Sequence, residues 1–267
     1  MIDVLIPTYN RADALAVTLT ALAMQFDLGW TLTIADQSNT PVADDASVAA
    51  ALRLLALRGI VVTVVRNLPR RGLAHQRHVL LDHAVAGLAL YLDDDLTIEP
   101  WVVGQLRSAM ASARCGFVGS PCIGLTYVDD VRPHQQAIEW WDGAVEPERI
   151  EREGPGWDRY RLHNAANPLH VQQRLGLTPE ESRLYKVAWV GGCVLYDVAK
   201  LRACGGFAFW QDLPDVHSGE DVLAQLRVMA RYGGAGVLPS GVYHQELPTT
   251  VPVRDVDAPR ALTIHQA

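Results

Sequence analysis

The chain has 267 residues, enough for one large core or two small ones. Hydrophobic residues make up 49% and charged residues 20%, which excludes a disordered or fibrous chain. The net charge is -7 and no basic stripe occurs, so duplex nucleic acid is not an expected partner; a phosphate-bearing substrate would need local positive charge from a metal or a few arginines.

Val4-Leu5-Ile6 is an apolar run stopped by Pro7 and reads as a buried strand. Ala12 to Met24 follows at helical spacing. Thr31 to Ala35 is a second strand, closed by Asp36-Gln37-Ser38-Asn39. Ser47 to Arg58 is rich in strong helix formers. Ile60 to Val65 is a β-branched third strand, and Leu73 to Ala86 a helix. Leu88 to Leu92 is a fourth strand that runs into Asp93-Asp94-Asp95, and Trp101 to Ala113 is helical. This alternation predicts βαβ units and a mostly parallel sheet with helices on both faces. Ligands on such sheets bind beyond the carboxyl ends of strands, where the loops starting at Pro7, Asp36 and Asp93 all lie.

After about Gly124 the character changes. Leu125 to Lys186 is polar and rich in Trp, His, Pro and Arg, with one short helix expected at Pro179 to Leu184. A stretch this irregular reads as a functional loop or small insertion. Order resumes at Val187 to Gly192, and Asp221 to Tyr232 is an amphipathic helix with Leu223, Leu226 and Met229-Ala230 on one stripe. Gly236-Val237-Leu238 is a last strand before Tyr243-His244. The expected organisation is one domain in two halves, residues 1–123 and 124–267, with the insertion at 124–186.

Met1 leads straight into the first strand, with no secretory leader and no run of the ~20 apolar residues that a membrane helix needs. None of Cys115, Cys122, Cys193 and Cys204 forms a CxxC pair, so small buried thiols in a reducing compartment are expected, not a zinc site. A cytoplasmic protein is expected; the sequence is also compatible with peripheral membrane contact.

Three adjacent carboxylates at Asp93-Asp94-Asp95 repel one another unless solvated or paired with a cation. They fit either a solvated turn or a site for Mg²⁺ or Mn²⁺, which take hard oxygen donors. Glu220 and Asp221 are either first-turn acids favoured by the helix dipole or a general base at a helix start. His244 is either an ordinary surface residue or a nitrogen ligand compatible with Mn²⁺. Asp36 fits an Asx turn or a contact to a nucleobase or ribose, and Arg70-Arg71 a solvated pair or a phosphate clamp. Gly191-Gly192 permits close backbone approach to a ligand, or merely a bulge.

The order of these segments resembles the family 2 glycosyltransferases. Ile6-Pro7-Thr8-Tyr9-Asn10-Arg11 resembles their opening motif, and Asp36-Gln37-Ser38 their "DDxS" loop, with Ala35 where an aspartate often stands. Asn67 through Arg77, Asp93-Asp94-Asp95 as a DxD motif, and Gly191-Gly192-Cys193 with Gly205-Gly206-Phe207 follow in the family's order. Gly219-Glu220-Asp221-Val222 with Arg227, and Val242-Tyr243-His244, complete it. The resemblance covers residues 2–123 and 187–244.

It implies an α/β protein of the GT-A fold, with a Rossmann-like, mostly parallel central sheet flanked by helices. It also implies an inverting hexosyltransferase that uses a divalent metal and a nucleotide-sugar donor, with UDP favoured. On that resemblance Pro7, Thr8, Tyr9 and Arg11 would line the nucleotide pocket, Asp36 would meet the base, and Arg71 would be a further pocket residue. Asp93 would sit near the ribose, Asp95 would bind the metal, and His244 would complete the metal or diphosphate site. Asp221 would be the base, with Glu220 beside it. The acceptor would be a hydroxyl on a glycan, a lipid-linked molecule or a small molecule, and the Trp-rich insertion would form its site or a lid.

Two rivals remain at this level. A nucleotidyltransferase would carry a Gly-rich basic loop near the first strand, where this chain has Pro7-Thr8-Tyr9-Asn10. A non-catalytic nucleotide-sugar-binding module would not need both the aspartate run and the Glu-Asp pair.

Overall fold

The apolar runs become the strands of one large sheet, and the first of them continues through Pro7 to Thr8. The computed structural model describes residues 1–264. In chain order the elements are β1 (Ile2–Thr8), α1 (Ala12–Ala23), β2 (Trp30–Asp36), α2 (Ala46–Leu57), β3 (Val62–Arg66), α3 (Gly72–His83), β4 (Leu88–Leu92), β5 (Leu96–Ile98) and α4 (Val102–Ala113). The second half holds β6 (Phe117–Gly119), β7 (Ile123–Gly124), α5 (Asn167–Arg174), β8 (Arg183–Tyr185), β9 (Cys193–Asp197), α6 (Val198–Ala203), α7 (Glu220–Tyr232), β10 (Gly234–Leu238), β11 (Val242–His244) and α8 (Ala258–Ala261).

The main sheet has eight strands in the order β3-β2-β1-β4-β9-β6-β10-β8. Its first four strands are all parallel. β9 enters antiparallel between β4 and β6, so its amino end meets the carboxyl end of β4. That reversal places the Gly191-Gly192 turn beside the aspartate run, and the Asp93 amide donates to the Gly192 carbonyl at 2.8 Å. A small sheet, β5-β11-β7, pairs His244 with Leu96 and so sets it next to the same run.

Side chains alternate across the sheet and fill two cores. Ile2, Val4, Ile6 and Leu90 pack with Leu15 and Leu19 of α1, Val48 and Leu55 of α2, and Leu106 of α4. Leu5, Tyr91, Val194 and Tyr196 pack on the other face with Leu80 of α3, Leu201 of α6 and Leu223, Leu226 and Met229 of α7. β3 is a half-exposed edge strand, paired only with β2, and spans 62–66 where 60–65 was expected.

Two expectations change in the second half. Pro179–Glu181 forms only a single tight turn, and Arg183–Tyr185 is a strand, not the end of a helix. Pairing with β10 captures it, and Gly236 opposite leaves room for the Tyr185 ring. The insertion is irregular but not loose. Its Ile150, Leu162, Val171 and Tyr185 are buried in the second core, and Tyr160 stacks on Trp189 with centroids 5.3 Å apart. Val187, Ala188 and Val190 are buried yet unpaired as a strand, with Trp189 partly buried; the Gln225 side chain satisfies both the N–H and the carbonyl of Val190, at 2.8 and 2.7 Å. Among the described residues, no helix is long and apolar enough to cross a membrane.

Gln76 of α3 is 2% exposed and ties the helix to the sheet, donating from Nε2 to the carbonyls of Thr8 at 2.8 Å and Ala35 at 2.6 Å. Gln76→Ala should cost about 2 kcal/mol, the scale for losing buried hydrogen bonds, read as a lower urea midpoint with an unchanged slope.

Candidate active site

The carboxyl ends of β1 and β4, the amino ends of α3 and α7 and the end of β11 close around one cavity of about 360 Å³. β1 supplies Pro7, Thr8, Tyr9 and, just beyond it, Arg11; the β4 end supplies Asp93, Asp94 and Asp95; α7 supplies Glu220 and Asp221; β11 supplies His244. α3 contributes Leu73, Gln76 and Arg77, and residues 247–254 cross the mouth with Leu247, Thr249, Thr250, Val251 and Arg254. A second pocket of about 240 Å³ continues past Tyr9 and is lined by Gln37, Arg70, Leu73 and His217.

Five carboxylates share the cavity, and two of the three arginines that line it, Arg77 and Arg11, pair with them. Arg77 is 4% exposed and lies between two acids. Its Nε donates to Glu220 Oε1 at 3.0 Å and its NH2 to Asp93 Oδ1 at 2.9 Å. Burial disfavours its charge, but Asp93 and Glu220 outweigh burial and raise its pKa. Arg11 pairs with Asp95, sits 3.5 Å from Asp94 and also donates to the Pro248 carbonyl. Arg11 therefore ties the strap over the mouth to the aspartate run.

The three aspartates are not equivalent. Asp94 is 7% exposed and accepts from the Thr8 hydroxyl at 2.6 Å, which pins the run to the end of β1. Burial, with Asp95 beside it, pushes its pKa up to about 7. Asp93 is held by Arg77, with its pKa raised by burial against that guanidinium. Asp95 faces His244, whose Nε2 lies 3.4 Å from its Oδ2. His244 Nδ1 accepts from the Glu246 amide at 2.7 Å, so a neutral ring carries its proton on Nε2, toward Asp95. Asp221 has no guanidinium partner of its own among the described residues; burial and the neighbouring Glu220 push its pKa up to about 7. A half-buried carboxyl of that strength beside a cavity can take a proton at neutral pH.

A family model, Glycosyl transferase family 2, matches residues 3–173, well over half of the chain. The chain belongs to glycosyl transferase family 2. None of the curated proteins matches it by sequence. Among solved structures, residues 1–349 of TarS from S. aureus superpose with a TM-score of 0.57 at 13% identity, covering 91% of this chain and 60% of that one. The mannosyltransferase PcManGT from Pyrobaculum calidifontis, in complex with GDP-Man and Mn²⁺, gives 0.56 at 16% identity, covering 94% and 58%. TarS 1–349 in complex with UDP-GlcNAc gives 0.56 at 14% identity, covering 94% and 60%. The chain spans about three fifths of the length of these structures. At such identities the likeness speaks for the fold, which is the GT-A fold expected from the motifs.

Of the residues singled out from the sequence, this family 2 glycosyl transferase brings nine to one cavity: Pro7, Thr8, Tyr9, Arg11, Asp93, Asp95, Glu220, Asp221 and His244. Four lie outside its lining. Asp36 is fully buried, where it accepts from the Ser38 amide at 2.8 Å and the Val42 amide at 2.9 Å and pairs with Arg66. Arg71 is exposed and reaches over Trp210, while Arg70 lies 3.9 Å over the Tyr9 ring. Gly191 and Gly192 stand behind Asp93; a Cβ on Gly192 would meet Cys122 Sγ at 2.7 Å. Sequence reasoning gave no role to Arg77, although it stands inside a quoted motif, nor to Gln76, His217 or Arg254. Residues 247–254 carry no pattern that marks a cavity wall.

Arg77→Met should destabilise the fold by about 3 kcal/mol, because it leaves Glu220 and Asp93 without their cation. Arg77 also lowers the pKa of Asp93 and Asp221, so its loss raises both further. The folded variant then binds more protons than the unfolded chain, and the loss should be largest above pH 7 and shrink below it. Urea unfolding across pH 5 to about 8.5 checks the size and the sign.

Proposed function

We propose that this chain moves a sugar from a nucleoside-diphosphate sugar, with UDP favoured, to an acceptor hydroxyl, inverting the anomeric centre in one displacement. The observation that carries this is Asp221, an unpaired carboxyl tuned to about 7, sharing one cavity with Asp93 and Asp95 at the carboxyl edge of the sheet. Family membership supports the reaction class, and structural neighbours solved with GDP-Man and Mn²⁺ or with UDP-GlcNAc support the donor class.

In this reading Asp221 removes the acceptor's proton as its oxygen attacks C1, and the bond from C1 to the diphosphate breaks. Glu220 is the counter-ion of Arg77 and acts by holding the first turn of α7 in place. Pro7, Thr8 and Tyr9 seat the nucleotide, Asp93 meets the ribose, and the pocket past Tyr9 takes the base. Asp36 shapes the base loop through Ser38, Val42 and Arg66, and Gly191-Gly192 back Asp93. Arg71 has no role in this scheme, and Arg70 takes its place beside Tyr9.

Asp95 would hold a divalent cation, Mn²⁺ or Mg²⁺. Among the described residues no group of three or more His, Cys, Asp or Glu forms a metal cage. The donor set still fits, since such ions take one or two carboxylates and fill their shell with diphosphate oxygens and water. When bound there it would offset the charge of the leaving diphosphate. His244 borders the same spot; with Nδ1 accepting from the Glu246 amide, its Nε2 faces Asp95 and would donate to a diphosphate oxygen there, and it would bind the metal only if its proton moved to Nδ1.

Residues 1–123 form the donor half and 124–267 the acceptor half in this scheme. The acceptor is a glycan, a lipid-linked molecule or a small molecule, and the site would work in the cytoplasm, where four free cysteines stay reduced.

Asp95→Ala and Asp221→Asn should each abolish transfer. Calorimetry with UDP and Mn²⁺ should separate them: Asp95→Ala loses metal-dependent binding, and Asp221→Asn keeps it. Near-normal turnover by Asp221→Asn would remove the base assignment. In the wild type, kcat/KM should rise with pH through about 7 as Asp221 ionises, since the carboxylate is the working form. A flat profile between pH 6 and about 8 would count against it.

A further inference from the structure

α3 begins without a cap of its own. Arg71 precedes it and makes no side-chain hydrogen bond to the first turn. The missing acceptor comes from 143 residues downstream, where His217 Nε2 takes the Ala74 N–H at 3.1 Å. His217 is 2% exposed, and its Nδ1 lies 2.7 Å from the Pro214 carbonyl. Both contacts are made at once only by a neutral ring with its proton on Nδ1.

The same offset recurs one turn on. Arg77 meets Glu220, again 143 residues apart, so α3 and the segment 217–220 run side by side with two cross-ties. Gly72 makes this approach feasible: a Cβ there would fall 2.5 Å from the Asp215 carbonyl oxygen and 2.6 Å from the His217 ring. On its other side the segment is tied through Ser218, whose N–H donates to Val256 and whose carbonyl accepts from Ala258. α7 itself is preceded at its cap position by Gly219, which offers no capping side chain. The position of its first turn, with Asp221, therefore depends on these ties.

We propose that His217 is a positioning residue for transfer: by capping α3 it fixes the loop that aims the Asp221 carboxylate into the donor cavity. This rests on the transferase reading, and His217 itself handles no proton of the reaction. Its imidazole lines the cavity wall, yet both nitrogens are spent on the protein backbone.

The test uses His217→Ala, His217→Gln and Gly72→Ala in the full chain. Gln keeps an acceptor near the Nε2 position. His217→Ala and Gly72→Ala should each lower kcat by about tenfold or more, the scale for a misaimed reacting group; both residues border the pocket past Tyr9, so UDP affinity in the presence of Mn²⁺ should fall too, but by much less than kcat. His217→Gln should recover kcat to within about threefold of the wild type. Amide exchange over 214–221 should quicken in His217→Ala without change in β1 or β4. Imidazole ¹⁵N shifts of the wild type should show Nδ1 protonated and Nε2 bare. The proposal falls if His217→Ala keeps kcat within about twofold, if Gln is no better than Ala, or if UDP affinity falls in step with kcat, which would mean direct donor contact. The opposite tautomer would also overturn it. If the wild type turns over no sugar nucleotide, the transferase reading fails instead; amide exchange and ¹⁵N shifts then still decide whether His217 ties the loop to α3.

Discussion

Arg77 sits under the cavity floor with Asp93 on one side and Glu220 on the other, and both contacts are near 3 Å. Asp93 follows β4 and Glu220 opens α7, so one guanidinium joins the two halves of the site. Without a cation between them, these acids would repel one another in a partly desolvated place, and the cavity would not close in this form. The pairing also sorts the acids. Glu220 is spent on Arg77 and Asp95 on Arg11, while burial moves the proton affinity of both Asp94 and Asp221 toward neutrality; Asp94 is held by the Thr8 hydroxyl, and Asp221 has no such side-chain partner among the described residues.

The reversal at β9 matters for the same reason. Parallel strands deliver only their carboxyl ends to the ligand edge. β9 runs the other way and delivers its amino end, so a tight glycine turn backs Asp93 where a longer loop would otherwise stand. β11 then brings His244 alongside, because the Gln245 amide continues the ladder onto the Asp95 carbonyl at 2.9 Å. This edge of the sheet is thus assembled from four separate strand ends and two helix starts.

Much of this was legible before any coordinates. β4 ends at Leu92, just before Asp93, and β2 ends at Asp36, one residue past the expected end; β1 was expected to stop at Pro7 but runs through it to Thr8, in register with Ala35 and Asp36 of β2. α7 follows its leucine stripe: Leu223, Leu226 and Met229 are buried together with Ala224, Gln225 and Val228, while Ala230 lies at the margin. The second half was harder to read. Arg183–Tyr185 is a strand because β10 lies beside it, and no local periodicity carries that information. The aromatic insertion reads as an irregular functional loop or small insertion, and in the structure Trp157 and Tyr160 pack on Trp189, 4.9 and 5.3 Å away. Those contacts favour packing as the role of its aromatic rings.

The sequence by itself determined the alternating α/β frame, the family-like order of motifs and the residue types at the carboxyl edge, because strand ends and helix starts are set by local chemistry. The tertiary structure alone decided what each group does there. Asp36 turned inward to its own loop, Arg70 rather than Arg71 came to lie on Tyr9, and Arg77 and His217 became cross-ties. Each of those outcomes depends on which partner stands opposite, over a hundred residues away for Arg77 and His217, and on how far burial has weakened water as the alternative partner.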